Sequence, residues 1–169
     1  MSLAAALLPE YDQETANTRK VLERIPEDKL DWKPHRKSFS FLELANHIAT
    51  IPEWGTGTLA SDSMDVGAEA GEYQPPTPAE TVEGILEAFD RHVAEFRRAL
   101  ERTSDEDLMA SWTLREGEKT HFTMPRMGVL RAMIMNHMIH HRGQLAVYLR
   151  LNDVPVPAIY GPSADEAGG

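Results

Sequence analysis

Three histidines set the chemistry open to this chain: His137 and His141, four residues apart, and His47 far upstream. The run 130–148 reads as helix, with Leu130, Ile134, His137, His141, Leu145 and Tyr148 as its inward candidates. At roughly 100° per residue they fall within a stripe about 80° wide. His137 and His141 then stand one turn apart on a face expected to be buried. His47 holds the matching place on another segment, between Leu44 and Ile51. A buried imidazole without a partner costs a few kcal/mol, roughly 1–3. One divalent ion would satisfy all three rings at once. Three core histidines hydrogen-bonded to their surroundings would also do so, and spacing alone does not separate the two.

Three neutral imidazoles leave a divalent ion its full charge and open coordination positions. Zinc accepts this with water as fourth ligand, and nickel with a larger ligand set; iron and manganese come next. The metalloprotease motif His-Glu-x-x-His is absent, because Met138 follows His137. Water on such an ion is lowered toward a pKa of about 7, and a bound thiol is deprotonated. Around the trio, His140 points about 60° from His137 and about 100° from His141, at the stripe's edge. It is expected to support the site or to meet a partner. The same wheel turns Arg142 away from the metal and keeps Gln144 nearer. His35, in a polar loop, and His121, in the expected hairpin, read as ordinary, and His92 as a reserve candidate beside an apolar stripe.

The elements that must hold these residues are four helical segments. The first runs from about Leu3 to Arg24, with Leu8, Tyr11, Thr15, Thr18, Leu22 and Ile25 inward. Pro26 disfavours helix in the residue before it. The second begins near Ser38 or Ser40, where Ser40 and Glu43 form a capping-box pattern. Its inward residues are Phe41, Leu44, His47, Ile48 and Ile51, and Pro52 marks a kink or a new turn. Residues 55–78 carry many glycines and prolines and read as one long loop. The third helix is expected to start at Thr77-Pro78, with Val82, Ile85, Phe89, Phe96 and Leu100 inward. Ser111–Leu114 and Thr120–Thr123 around Glu116-Gly117 predict a short β-hairpin. The fourth helix opens at Pro125 and ends near Asn152. The long loop and the Pro-rich tail around Tyr160 are expected to wall the open side of the metal, which makes Tyr160 a pocket candidate.

The chain has 169 residues and a net charge of −10, enough for one domain over 1–169 with its own core. Such a charge opposes a nucleic-acid backbone or an anionic membrane as main partner. There is no cysteine, so disulfides, zinc–thiolate sites and a cysteine nucleophile are excluded. Met1–Leu8 is apolar but lacks a basic region, and Glu10 and Asp12 come directly after it, which makes a poor signal peptide. No run of apolar residues is long enough to span a membrane. A cytoplasmic location is the expectation.

The run from Met124 to Leu145, with Asn136, His137, His141 and Gln144, resembles the DinB (damage-inducible protein) family. So do Leu44–Ile48 around His47, the stretch Asn17–Pro34 with Trp32, and the tail Val156–Glu166. The resemblance covers nearly the whole chain. It implies an all-α fold: a four-helix bundle of DinB type in up-down-down-up order, with the hairpin before the last helix. It also implies a metal held by His47, His137 and His141, and a homodimer. An apolar, Met-rich set (Met127, Met133, Met135, Met138) exceeds one inward stripe and supports the dimer. Relatives include thiol-dependent transferases and isomerases using low-molecular-weight thiols such as bacillithiol or mycothiol. Three functional readings are open: thiol-dependent S-transferase chemistry on a small electrophile, metal-dependent hydrolysis, and a non-catalytic metal- or ligand-binding stress protein.

Overall fold

The computed structural model describes residues 2–67 and 76–166. Helix α1 (Leu3–Leu22) opens on Ser2, whose hydroxyl accepts the Ala5 amide. Tyr11, Thr15, Thr18 and Leu22 are buried, as their spacing predicts, and Leu8 is partly buried. Helix α2 (Phe41–Ala60) starts in the expected capping box. The Glu43 amide donates to the Ser40 hydroxyl, and the Ser40 amide donates to the Glu43 carboxylate at 2.7 Å. Two N–H groups that a helix start leaves orphaned are thereby satisfied.

Neither Pro52 nor the glycines after it end α2, which runs through Gly55 and Gly57 to Ala60. The long loop therefore begins only at Ser61, and its stretch 68–75 lies outside the described residues. Gly55 has a packing reason to be glycine. A Cβ there would meet the Phe96 ring at 2.8–3.0 Å. Phe96 is fully buried on α3 (Val82–Arg102), edge-on to Tyr11 at 4.9 Å between ring centres. The missing side chain lets two helices close on one another.

Helix α3 begins later than its sequence implies. Thr81, not Thr77, is the cap, its hydroxyl accepting the Gly84 amide at 3.1 Å. Pro78 lies ahead of the helix. Ile85, Phe89, Phe96 and Leu100 form the buried row, and His92 belongs to it. The His92 ring donates from Nδ1 to the Ala49 carbonyl at 2.8 Å, so it is a satisfied core histidine.

A short α4 (Asp105–Met109) precedes the hairpin of β2 (Ser111–Glu116) and β3 (Lys119–Pro125). Gly117 makes the turn with φ +57°. The hairpin is where the sequence places it, but it has a third strand. β1 (Ser63–Asp65) pairs parallel to β2, giving a sheet of order β1-β2-β3. Three residues are too few to display a strand period. Asp65 ties the sheet together, accepting the amides of Gly67 and Gly117 at 2.9 and 3.1 Å. The fold is thus mostly helical with a small sheet.

The last helical run has three parts: α5 (Arg126–Val129), a π-turn (Leu130–Met135) and α6 (Asn136–Leu151). A π-turn adds one residue to the helix and rotates the next helical turns by about 100°. The buried row of α6 is Met138, Arg142, Leu145, Tyr148 and Leu149. On the wheel His137 and His141 lie along the flank of that row. They are half-buried, where the uninterrupted stripe predicts burial.

Helices α1 and α2 each pack against both α3 and α6. Met135 and Met138 are buried in this core and Met127 packs on it, which leaves Met133 as the one of the four at the surface. The methionine surplus is mostly used within the chain itself. Val154, Val156 and Ile159 fold back onto the core as the tail's apolar spacing predicts. Among the described residues, no helix is long and apolar enough to cross a membrane.

Candidate metal centre

His47 projects from the middle of α2, and His137 and His141 from the first turns of α6. The His47 Nε2 lies 3.2 Å from that of His137 and 3.1 Å from that of His141. One nitrogen from each ring falls within 4.8 Å of the others. Nitrogens that share a tetrahedral zinc at 2.0–2.1 Å stand about 3.3 Å apart. The two short edges of the trio match one small cation.

Hydrogen bonding at the other ring nitrogens assigns the tautomers. His137 Nδ1 faces the Met133 carbonyl at 3.3 Å, and His141 Nδ1 faces Gln144 Oε1 at 2.7 Å. These oxygens only accept, so each neutral ring carries its proton on Nδ1 and turns an Nε2 lone pair to the centre. A neutral His47 has at most one proton to offer to two such lone pairs. At least one of the two short contacts to His47 therefore lacks a proper N–H···N bond, and a cation among the three rings would satisfy all three nitrogens. Burial is the first cause that holds the rings neutral. It pushes the His47 pKa down to about 4, with the neighbouring His141 and His137 adding to the shift. His137 and His141 are lowered too, again chiefly by burial. The three histidines could hold a metal.

Aromatic rings flank the trio. Phe39 and Trp54 lie 5.8 and 5.5 Å from the His47 ring, and Trp54 lies 5.7 Å from that of His137. A cavity of about 290 Å³ borders His47, with Thr50, Trp54, Arg91 and residues 76–79 among its walls. Asn46 clamps that last wall: its amide donates to the Ala79 carbonyl at 2.9 Å, and its own carbonyl accepts the Ala79 amide at 2.8 Å. The described end of the long loop thus does border the site.

Gln144 reaches the trio, as the helical wheel implies. His140 is exposed, its ring 4.9 Å from that of His141. Tyr160 is not brought to the histidines. Its hydroxyl donates to Glu14 at 2.7 Å and accepts from Arg142 on another flank of α6. The cause is Arg142, a buried cation in the core row. It needs a counter-charge, and buried Glu14 supplies it at 2.7 Å. Sequence reasoning overlooked Asn46, Trp54 and Arg91. Asn46 adjoins His47, and Trp54 lies two helical turns beyond it, so both were within reach of a wheel. The position of Arg91 depends on how α3 meets α2.

Fold and site together define a mostly helical protein that gathers three imidazoles from two helices beside a small sheet. The chain belongs to the DinB family, whose model matches residues 1–168. It is 27% identical over 162 residues to the uncharacterized protein YrdA of Bacillus subtilis strain 168, covering 94% of this chain and 89% of that one. Its fold is similar to that of a DinB-like protein from Bacillus cereus ATCC 10987, with TM-score 0.67, 24% identity and coverage of 91% and 95% of the two chains. A DinB-like protein of Bacillus subtilis, YjoA, superposes with TM-score 0.70 at 21% identity, covering 91% of this chain and 96% of that one.

Proposed function

We propose that His47, His137 and His141 bind one divalent metal, and that the protein is a metal-dependent enzyme that joins a low-molecular-weight thiol to a small electrophile. The observation that carries this reading is the tautomer pattern. Two Nδ1–H groups are engaged outward, and three Nε2 atoms are left converging on one point. Zinc and nickel suit three imidazoles best, with iron and manganese as further candidates. Such an ion, when bound, makes a thiol or a water acidic enough to be a nucleophile near neutral pH.

The protein's own groups do the remaining work. Arg91 on the cavity wall offers a positive charge to an anionic cosubstrate. Trp54 and Phe39 shield the imidazoles from water. Among the described residues lining the cavity, none is a carboxylate. A thiol is far more acidic than water to begin with and needs less help from a protein base. This ranks the transferase above metal-dependent hydrolysis. The up-down-down-up helix order and the homodimer belong to the same reading, and the net charge of −10 sets it against a nucleic-acid partner.

A panel of thiols against electrophiles such as monochlorobimane, run with zinc, nickel, manganese and iron(II), tests the proposal. Thiol conjugation that chelator abolishes and added ion restores is the expected result. No turnover with any thiol or with water would favour a non-catalytic binding protein instead.

A further inference from the structure

Two neighbours on α3, Arg91 and His92, share one wall of the cavity beside His47. His92 is 5% exposed, and both its ring nitrogens are used. Nδ1 donates to the Ala49 carbonyl at 2.8 Å, which leaves the lone pair on Nε2. That lone pair accepts from the Arg91 guanidinium at 3.4 Å. A buried ring tied to α2 thus holds an otherwise exposed cation at the cavity. Asn46 and Thr50 of the same walls have spent their protons. Both amide hydrogens of Asn46 go to carbonyls, those of Leu42 and Ala79, and the Thr50 hydroxyl donates to the Asn46 carbonyl at 2.9 Å. Arg91 has five N–H groups and gives one to His92, and among the described residues no carboxylate pairs with it.

We propose that the cosubstrate is a short thiol bearing a carboxylate, which Arg91 anchors while His92 positions Arg91, an assignment that rests on the histidine trio taking the sulfur. His47 and Arg91 wall the same cavity, so one molecule in it can meet both. The guanidinium is a planar fork that matches a carboxylate with two parallel hydrogen bonds. It balances one negative charge. Among the described lining residues there is no lysine and no second arginine, so a phosphate dianion would keep a charge unbalanced where a carboxylate does not. The volume, about 290 Å³, is at the small end for a ligand site and favours a short chain between sulfur and carboxylate. A neutral thiol would leave the guanidinium without an anion.

3-Mercaptopropionate and 3-mercaptopropionamide, nearly equal in shape, separate the carboxylate from the thiol. Their affinities are read from the thiolate-to-cobalt absorption band of cobalt(II)-loaded protein, and the Arg91 Nε–H resonance is followed on zinc-loaded protein. 3-Mercaptopropionate is expected to bind about tenfold tighter and to move that resonance, which the amide leaves in place. Arg91→Gln should lower the affinity for 3-mercaptopropionate to that for the amide. His92→Met should lose part of the preference, and His92→Gln, which keeps a donor and an acceptor, should regain it. Should His92→Met fold poorly, hindered rotation of the Arg91 guanidinium in the ligand-free parent reads the same contact. Equal affinities in the parent, or a preference kept in Arg91→Gln, would overturn the anchor and leave the thiol reading standing. A full preference in His92→Met, or a freely rotating guanidinium in the parent, would overturn the role of His92. Absence of the cobalt–thiolate band with both thiols would overturn the anchor and the thiol reading together.

Discussion

His141 gives its Nδ1 proton to the Gln144 amide oxygen at 2.7 Å, and this contact fixes the ring that turns Nε2 to His47, 3.1 Å away. An acceptor behind a ligating imidazole sets its tautomer and raises its basicity. Gln144→Leu should weaken metal binding by about 10–100-fold while helical content stays constant. A competition titration against a chromophoric chelator reads this directly. Unchanged affinity would mean that helix packing alone orients His141.

Acid should destabilise the metal-free protein through the same rings. Their folded pKa values are lowered, that of His47 to about 4, whereas unfolded histidine titrates near pH 6.5. The unfolded chain thus takes up protons before the folded one does. The stability held by the neutral rings is complete above about pH 6.5 and declines as pH falls toward about 4. Urea unfolding of chelator-stripped protein across this window should show a steeper decline than the triple His→Ala variant. Parallel profiles would contradict the assignment.

The Glu14–Arg142 pair is a structural element separate from the metal. Both side chains are buried, 2.7 Å apart, and Tyr160 hydrogen-bonds to each. Arg142→Met leaves Glu14 buried without its cation and should cost about 3–5 kcal/mol in denaturant unfolding. Tyr160→Phe should loosen the tail and leave bound metal unchanged. Metal loss in Tyr160→Phe would return Tyr160 to the site.

Gly55 and Gly57 lie on one helix and predict opposite outcomes. Alanine at 55 must push into the Phe96 ring, whereas at 57 it meets only the Met64 methyl at 3.8 Å. Overpacking costs about 1–3 kcal/mol, and replacing a mid-helix glycine gains at most about 1 kcal/mol. Gly55→Ala should lower the urea midpoint and Gly57→Ala should raise it. A stabilised Gly55→Ala protein would place α2 and α3 further apart.

The His137–His141 pair was legible because ligand spacing on a helix is local: four residues make one turn, wherever that helix packs. The Ser40 cap and the Gly117 hairpin were legible for the same reason. His47 lies on another helix, and its place beside the pair was legible from its inward position and from the family resemblance. What escaped was non-local or aperiodic. Glycine at 55 reads as a loop until Phe96 is known to face it. The strand Ser63–Asp65 is too short to carry a period and exists because β2 offers an edge. The π-turn shifts the phase inside one uninterrupted helical pattern, so the histidines fall on the flank of the core row and Arg142 enters that row. Tyr160 went with Arg142 and Glu14, a pairing across 128 residues that spacing does not reveal.

Metal content of protein expressed without a histidine tag is the most direct test of the central claim. Elemental analysis after equilibration with zinc or nickel should give one ion per chain in the parent. His47→Ala, His137→Ala and His141→Ala should each lose most of it, and His140→Ala should keep it. A triple variant lacking His47, His137 and His141 that binds metal as well as the parent would contradict the account.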